Sequence, residues 1–290
     1  MATTTEPLAG APAITIPWLK IAWAAVLLSL CFGDVLFNMA REWYTDDDMS
    51  HGFFVPVIAG YIVWQRRERI LALPVKPNPW GLALAAWGGV QLIFGTIGAE
   101  MFVARTSFLI SLVGVILYLG GTRIVKELAF PLFLLVFMIR IPAIIYKQVT
   151  FPLQLFASAV AEKSLSLLGI PVLREGNILE LADHKLSVVE ACSGIRSLLS
   201  LSFLSLVYAY FFDTKVWMRG VLLIATIPIA VAANAFRVTL TGVVSDWKRE
   251  FADGFFHSME GWVVFLIAFV ILILTHQAID RGYAALKRTR

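Results

Sequence analysis

Charge is scarce in this chain: of 290 residues only 15% are Asp, Glu, Lys or Arg, while 59% are apolar and the mean hydropathy is +0.80. Soluble domains carry nearer one quarter charged residues, so a water-soluble globular fold is excluded. Cysteine is scarcer still. Cys31 and Cys192 stand alone with no CxxC spacing, which removes a disulfide scaffold and a membrane thiol oxidoreductase. The chain has no Walker loop, no dinucleotide glycine fingerprint, no HExxH, no long low-complexity segment and no internal repeat. Nucleotide chemistry therefore has no support, and neither a metal nor a cofactor is expected. A pI of about 9.1 does not signal a nucleic-acid partner, because the basic residues lie in short loops between apolar runs, where membrane topology accounts for them. Residues 1–17 lack a basic n-region and no small-residue cleavage site follows the first apolar run, so no cleavable signal peptide is expected.

What the chain does have is apolar runs of membrane-spanning length. A crossing helix needs about 20 mostly apolar residues. Eight candidates lie near 18–37, 51–64, 80–98, 102–120, 124–146, 195–212, 219–242 and 257–275. The second is short and needs the upstream Asp48-Met49-Ser50, a thinned bilayer or a re-entrant course. With the N-terminus placed in the cytoplasm, 13 of the 24 Lys and Arg fall in short cytoplasmic segments and seven in outer ones. That split obeys the positive-inside rule, puts both termini in the cytoplasm and leaves the acidic stretch from Glu42 to Asp48 outside. The expected fold class is an all-α polytopic membrane protein of about eight transmembrane helices, forming one domain over 1–290 and surrounded by membrane lipid.

One longer outer segment, 147–190, interrupts this pattern. Its first half, 149–168, spaces apolar residues for an interfacial helix. Its second half alternates in part over 172–181 and 185–189 around Gly176-Asn177 and Ala182-Asp183-His184, which predicts a small β-hairpin ending just before Cys192.

Ionisable groups at membrane depth are costly, about 2.5–3.5 kcal/mol for an arginine at a helix centre, so each calls for a functional hypothesis. Three places stand out. In Glu190-Ala191-Cys192-Ser193-Gly194-Ile195-Arg196, a cysteine meets the outer end of the sixth helix, where the positive helix terminus and Arg196 favour its thiolate. In Asn234-Ala235-Phe236-Arg237, toward the outer end of the seventh helix, the amide and guanidinium share a face, so Asn234 can orient Arg237. His257 opens the eighth helix and is suited to proton exchange near neutral pH. The three helices are consecutive, so Cys192, Arg237 and His257 are level in the membrane and able to converge as nucleophile, oxyanion donor and proton shuttle. Cys31, His184 and His276 read as structural.

At these residues the sequence resembles the exosortase/archaeosortase family of integral membrane transpeptidases. That family carries a cysteine in an ACSGxxS-like stretch, then an NxxR arginine, then a histidine, here Ala191-Cys192-Ser193-Gly194-Ile195-Arg196-Ser197, Asn234 with Arg237, and His257. A further family-like stretch is Trp43-Tyr44-Thr45-Asp46 leading to Ser50-His51-Gly52 and Pro56, so the resemblance runs from about residue 43 to 265. It implies a cysteine-type peptidase of the bacterial inner membrane, working at the periplasmic face on membrane-anchored proteins that end in a PEP-CTERM sorting tail. Catalysis would fall to Cys192, Arg237 and His257. Arg196 and Glu190 would support the thiol or the substrate's acidic motif, and Asp46 and His51 would line its access path. An exopolysaccharide setting is suggested by relatives, and the acceptor nucleophile is left open. The competing reading from the residues is a membrane transporter or exopolysaccharide-export component, since buried arginines among many helices also suit a permeation path.

Overall fold

A computed structural model describes residues 18–182, 185–187, 194–247 and 255–288, and the chain divides into two compact units, Met1–Arg140 and Ile141–Arg290.

In the first unit α1 (Trp18–Thr45) is followed by a 3-10 helix (Asp47–Phe53), α2 (Phe54–Gln65) and the short α3 (Arg67–Leu71). Then come α4 (Trp80–Ile97), α5 (Met101–Gly120), α6 (Thr122–Glu127) and α7 (Ala129–Leu134), the last running into a 3-10 turn, Leu135–Met138. The α4–α5 hairpin is held by backbone proximity rather than by large side chains. A Cβ placed on Gly88 would lie 2.1 Å from Ser111 Oγ and 2.8 Å from the Ser107 carbonyl oxygen. Small residues allow this approach, as lipid tails give apolar side chains no reason to prefer each other. At one end of the unit Arg66 and Arg69 pair with Glu127 at 2.9 and 3.4 Å. At the other end α1 delivers Glu42 to the first turns of α5.

The second unit begins with α8 (Ala143–Leu167), then a three-stranded antiparallel sheet of β1 (Val172–Glu175), β2 (Ile178–Leu181) and β3 (Lys185–Ser187). The expected β-hairpin is thus present, with Glu175 paired to Ile178 around Gly176-Asn177 and a third strand added. Gly176 takes φ +65°, a conformation that a two-residue hairpin turn requires and that costs glycine nothing. Leu179 and Leu181 pack on Ala157, Ala161 and Leu165 of α8, and Arg174 Nε donates to Glu162 Oε2 at 2.9 Å. The rest of the unit is α9 (Gly194–Phe212), α10 (Val216–Trp247) and α11 (Phe255–Arg288), joined through a core that includes Leu201, Ala209, Met218, Leu222, Ala268 and Leu272.

Among the described residues five helices are long and apolar enough to cross a membrane, or six if the broken pair Ala129–Met138 and Ala143–Leu167 counts as one span. The all-α multi-pass class is as expected, including its small sheet. The runs expected at 51–64 and 124–146 take shorter or broken forms, a 12-residue α2 entered through a 3-10 turn and a break at 139–142, whereas the run expected at 195–212 is the single helix α9. Pro142 explains the break, because it has no N–H to give and disfavours helical backbone in the residue before it. Large apolar side chains point outward along the spans, as with Leu30 at 75% and Phe37 at 69% exposed, a surface suited to hydrocarbon and not to water.

Candidate active site

Two polar contacts set the register of the second unit's helices. Ser202 and Thr226 hydroxyls meet at 3.2 Å between α9 and α10, and Tyr208 OH meets His276 Nδ1 at 3.0 Å between α9 and α11. At about 1.5 Å rise per residue, stepping back along α9 to Arg196 arrives level with Ala232 on α10 and Val264 on α11. Asn234 and Arg237 are less than two turns further along α10, and Gly261 is one turn before Val264. Arg196, Asn234, Arg237 and Gly261 therefore lie at the same end of the three helices.

The contact between α10 and α11 at that end is close. Arg237 is 7% and Asn234 8% exposed. The Arg237 guanidinium rests against the α11 backbone, such that a Cβ on Gly261 would meet Nη2 at 3.3 Å, Cζ at 3.4 Å and Nη1 at 3.5 Å. His257 is the third residue of α11, one turn before Gly261, so the backbone carrying the histidine and the Arg237 head group are neighbours. The His257 side chain lies outside the described residues, as do Cys192 and Glu190; Cys192 stands two positions ahead of α9 in the chain. Ala235 and Val238, on the other flank of α10, join Leu179 and Leu181 of the sheet and the α8 core, which holds this stretch of α10 in place. A guanidinium so oriented, buried among helices and with an amide one turn away, is equipped to donate to a developing negative oxygen.

The opposite end of the same helices carries a separate network that sequence reading did not find. His276 Nε2 lies 3.0 Å from Asp213 Oδ2, and Lys215 pairs with both Asp213 and Asp280. Burial pushes the Asp213 carboxyl up, but the Lys215 N–H, His276 and the Lys215 charge together outweigh it and hold Asp213 below its ordinary range. His276 is structural here, as expected.

Asp46 and His51 belong to the first unit. There Asp46 caps the 3-10 helix, accepting from the Asp48 N–H at 2.8 Å, and pairs with Arg140. Arg140 also reaches Glu42 Oε1 at 3.0 Å, and Arg105 Nη1 lies 2.7 Å from Glu42 Oε2. His51 is 8% exposed with Nε2 at 3.1 Å from the Phe137 carbonyl, and Trp43 Nε1 donates to the Met138 carbonyl at 3.0 Å. The family-like stretch from Trp43 to Gly52 thus docks on the turn 137–140 through two side-chain to backbone bonds and an ion cluster. Sequence reading missed Glu42, Arg105 and Arg140 as members. The only local signal was an arginine inside an apolar run.

Burial lowers the His51 pKa from its ordinary 6.5, more than the Phe137 and Asp48 backbone oxygens and the Asp48 charge raise it. The imidazole is therefore neutral at pH 7, with Nε2–H donating to Phe137. A folded-state pKa below the unfolded one means the unfolded chain takes up the proton first, so stability falls as pH drops below about 6.5 toward the lowered value. Thermal unfolding in detergent between pH 7.5 and 5 is expected to show this loss, and His51→Asn to flatten it. An equal pH slope in the variant would assign the effect elsewhere.

The helices and the polar cluster at one end of them define a multi-pass membrane protein with a buried cationic site at a helix-bundle terminus. The transmembrane exosortase family model (Exosortase_EpsH) matches residues 43–274, and the chain belongs to that family. Comparison with the curated proteins and with the solved structures finds no match.

Proposed function

We propose that the chain is a cysteine transpeptidase of the bacterial inner membrane that removes the C-terminal PEP-CTERM tail of membrane-anchored exported proteins. Residues 1–290 would work as one exosortase-like domain, with 147–190 as a periplasmic insertion ahead of the Cys192 segment and both termini in the cytoplasm. The observation that carries the reading is the seat of Arg237 on the α11 backbone one turn from His257, at the α9 end that Cys192 precedes.

In this mechanism the Cys192 thiolate attacks a peptide carbonyl at the outer membrane edge, and the carbonyl oxygen takes up negative charge. Arg237 donates to that oxygen, held by its seat on Gly261. His257 gives a proton to the leaving amine, the C–N bond breaks, and the substrate remains on Cys192 as a thioester. An acceptor nucleophile then attacks the thioester while His257 takes its proton, and Cys192 is released. Arg196, one turn into α9, would favour the thiolate or hold the acidic motif of the tail, and Glu190 would support it. Asp46 and His51 enter the proposal as substrate-supporting residues of the first unit. No metal or cofactor is invoked.

The test is co-expression with a tagged PEP-CTERM protein, following tail removal by gel shift and searching for a substrate adduct that hydroxylamine releases. An adduct that maps to Cys192 is expected. Tail removal without any thioester on Cys192 would overturn the mechanism, and no tail removal with an authentic substrate would overturn the substrate class.

A further inference from the structure

We infer that Gly261 is a positioning residue for the oxyanion donor: its missing side chain is the seat on which the Arg237 guanidinium lies. This rests on the transpeptidase reading, in which Arg237 faces the developing oxyanion.

Gly261 lies inside α11, where glycine is a poor choice on propensity alone and alanine the best. No turn or positive φ requires it, since its backbone is helical. What it does is leave room. All three guanidinium atoms nearest to a hypothetical Cβ fall between 3.3 and 3.5 Å, so the planar head group lies directly over the helix backbone, in contact with the place a methyl would take. The guanidinium is not a free chain end that can swing aside, because Arg237 is 7% exposed and its helix is fixed through Ala235 and Val238 on the other flank. A methyl at 261 must lift the head group by a few tenths of an ångström, and a branched side chain must move it by an ångström or more. Catalytic groups displaced by about 1 Å cost about 100-fold.

Gly261 also differs from a purely structural glycine. Alanine at 261 should leave α11 as stable as before or more so, while turnover falls. A residue that matters only for packing would move stability and activity together.

The experiment measures tail removal with purified protein in detergent, with membrane level, thermal midpoint and Cys192 alkylation by a small maleimide as controls. Gly261→Ala is expected to lower kcat several-fold and Gly261→Val about 100-fold, with KM nearly unchanged, an undiminished alkylation rate and, for Gly261→Ala, an undiminished thermal midpoint. In an Arg237→Lys background, where a slimmer ammonium replaces the planar head group, adding Gly261→Ala is expected to cost at most twofold. Wild-type kcat in Gly261→Val, or a full additive loss in the Arg237→Lys background, would overturn the assignment while leaving the transpeptidase reading intact. If the wild-type protein removes no tail, it is the reading that fails.

Discussion

Cys192→Ser is expected to abolish tail removal as completely as Cys192→Ala, by roughly 10^3-fold or more, with unchanged amounts of protein in the membrane. Serine has the size of cysteine, so a role in packing or in a permeation path would survive the change. The proposed chemistry would not. In the proposed mechanism the attacking group is a thiolate, a form a thiol takes far more readily than a hydroxyl does, and His257 serves as proton donor to the leaving amine and not as a base that activates the nucleophile. Arg237→Ala should follow at about 10^2–10^3-fold, the usual cost of one oxyanion donor, with Arg237→Lys retaining part of the activity as a point charge without the planar fork. A gel-shift assay on a tagged substrate reads all of these. Full processing by Cys192→Ser would end the transpeptidase mechanism and favour the transporter reading.

The second large effect is on stability, at the ion cluster of the first unit. Glu42→Ala is expected to destabilise the protein by about 3–5 kcal/mol, because it strips a buried arginine of its counter-charge. Arg105 is the group at risk: its side chain is 6% exposed and its guanidinium lies 2.7 Å from Glu42. Arg140, at 41% exposed and also paired with Asp46, retains a partner and a route to solvent. Removing both partners should therefore be milder than removing one. The double variant Glu42→Ala/Arg105→Met is expected to recover most of the loss, since no charge is then left unpaired in the interior. Thermal midpoints of purified protein check this ordering, and a double variant no better than Glu42→Ala would mean that shape, not charge, is what the site requires.

Much of the proposed site was legible along the chain because it is local. The Cys192 stretch, the Asn234 and Arg237 spacing and His257 at a helix start are each short patterns, and the order of the apolar runs is what suggested that they share one membrane face. The 137–140 turn and Arg105 were not legible as partners of Glu42, which lies 98 residues from Arg140. No local pattern links positions so far apart. Helix lengths were harder for another reason: hydropathy marks apolar runs but not where backbone hydrogen bonding stops, so the break before Pro142 and the 3-10 entry to α2 appear only as geometry.

By itself, then, the sequence determined that this protein lives in a bilayer, that it is helical with a small sheet before the cysteine, and which motifs it carries in which order. Those properties follow from the cost of leaving peptide groups unpaired in hydrocarbon and from side-chain patterns a few residues long. Only the tertiary structure decided which side of α10 faces α11, that Arg237 lies on the bare backbone of Gly261, and that Glu42 joins two arginines. These depend on the rotation and register of whole helices, which the close fit of small residues such as Gly88 against Ser111 sets between elements and which no single element contains.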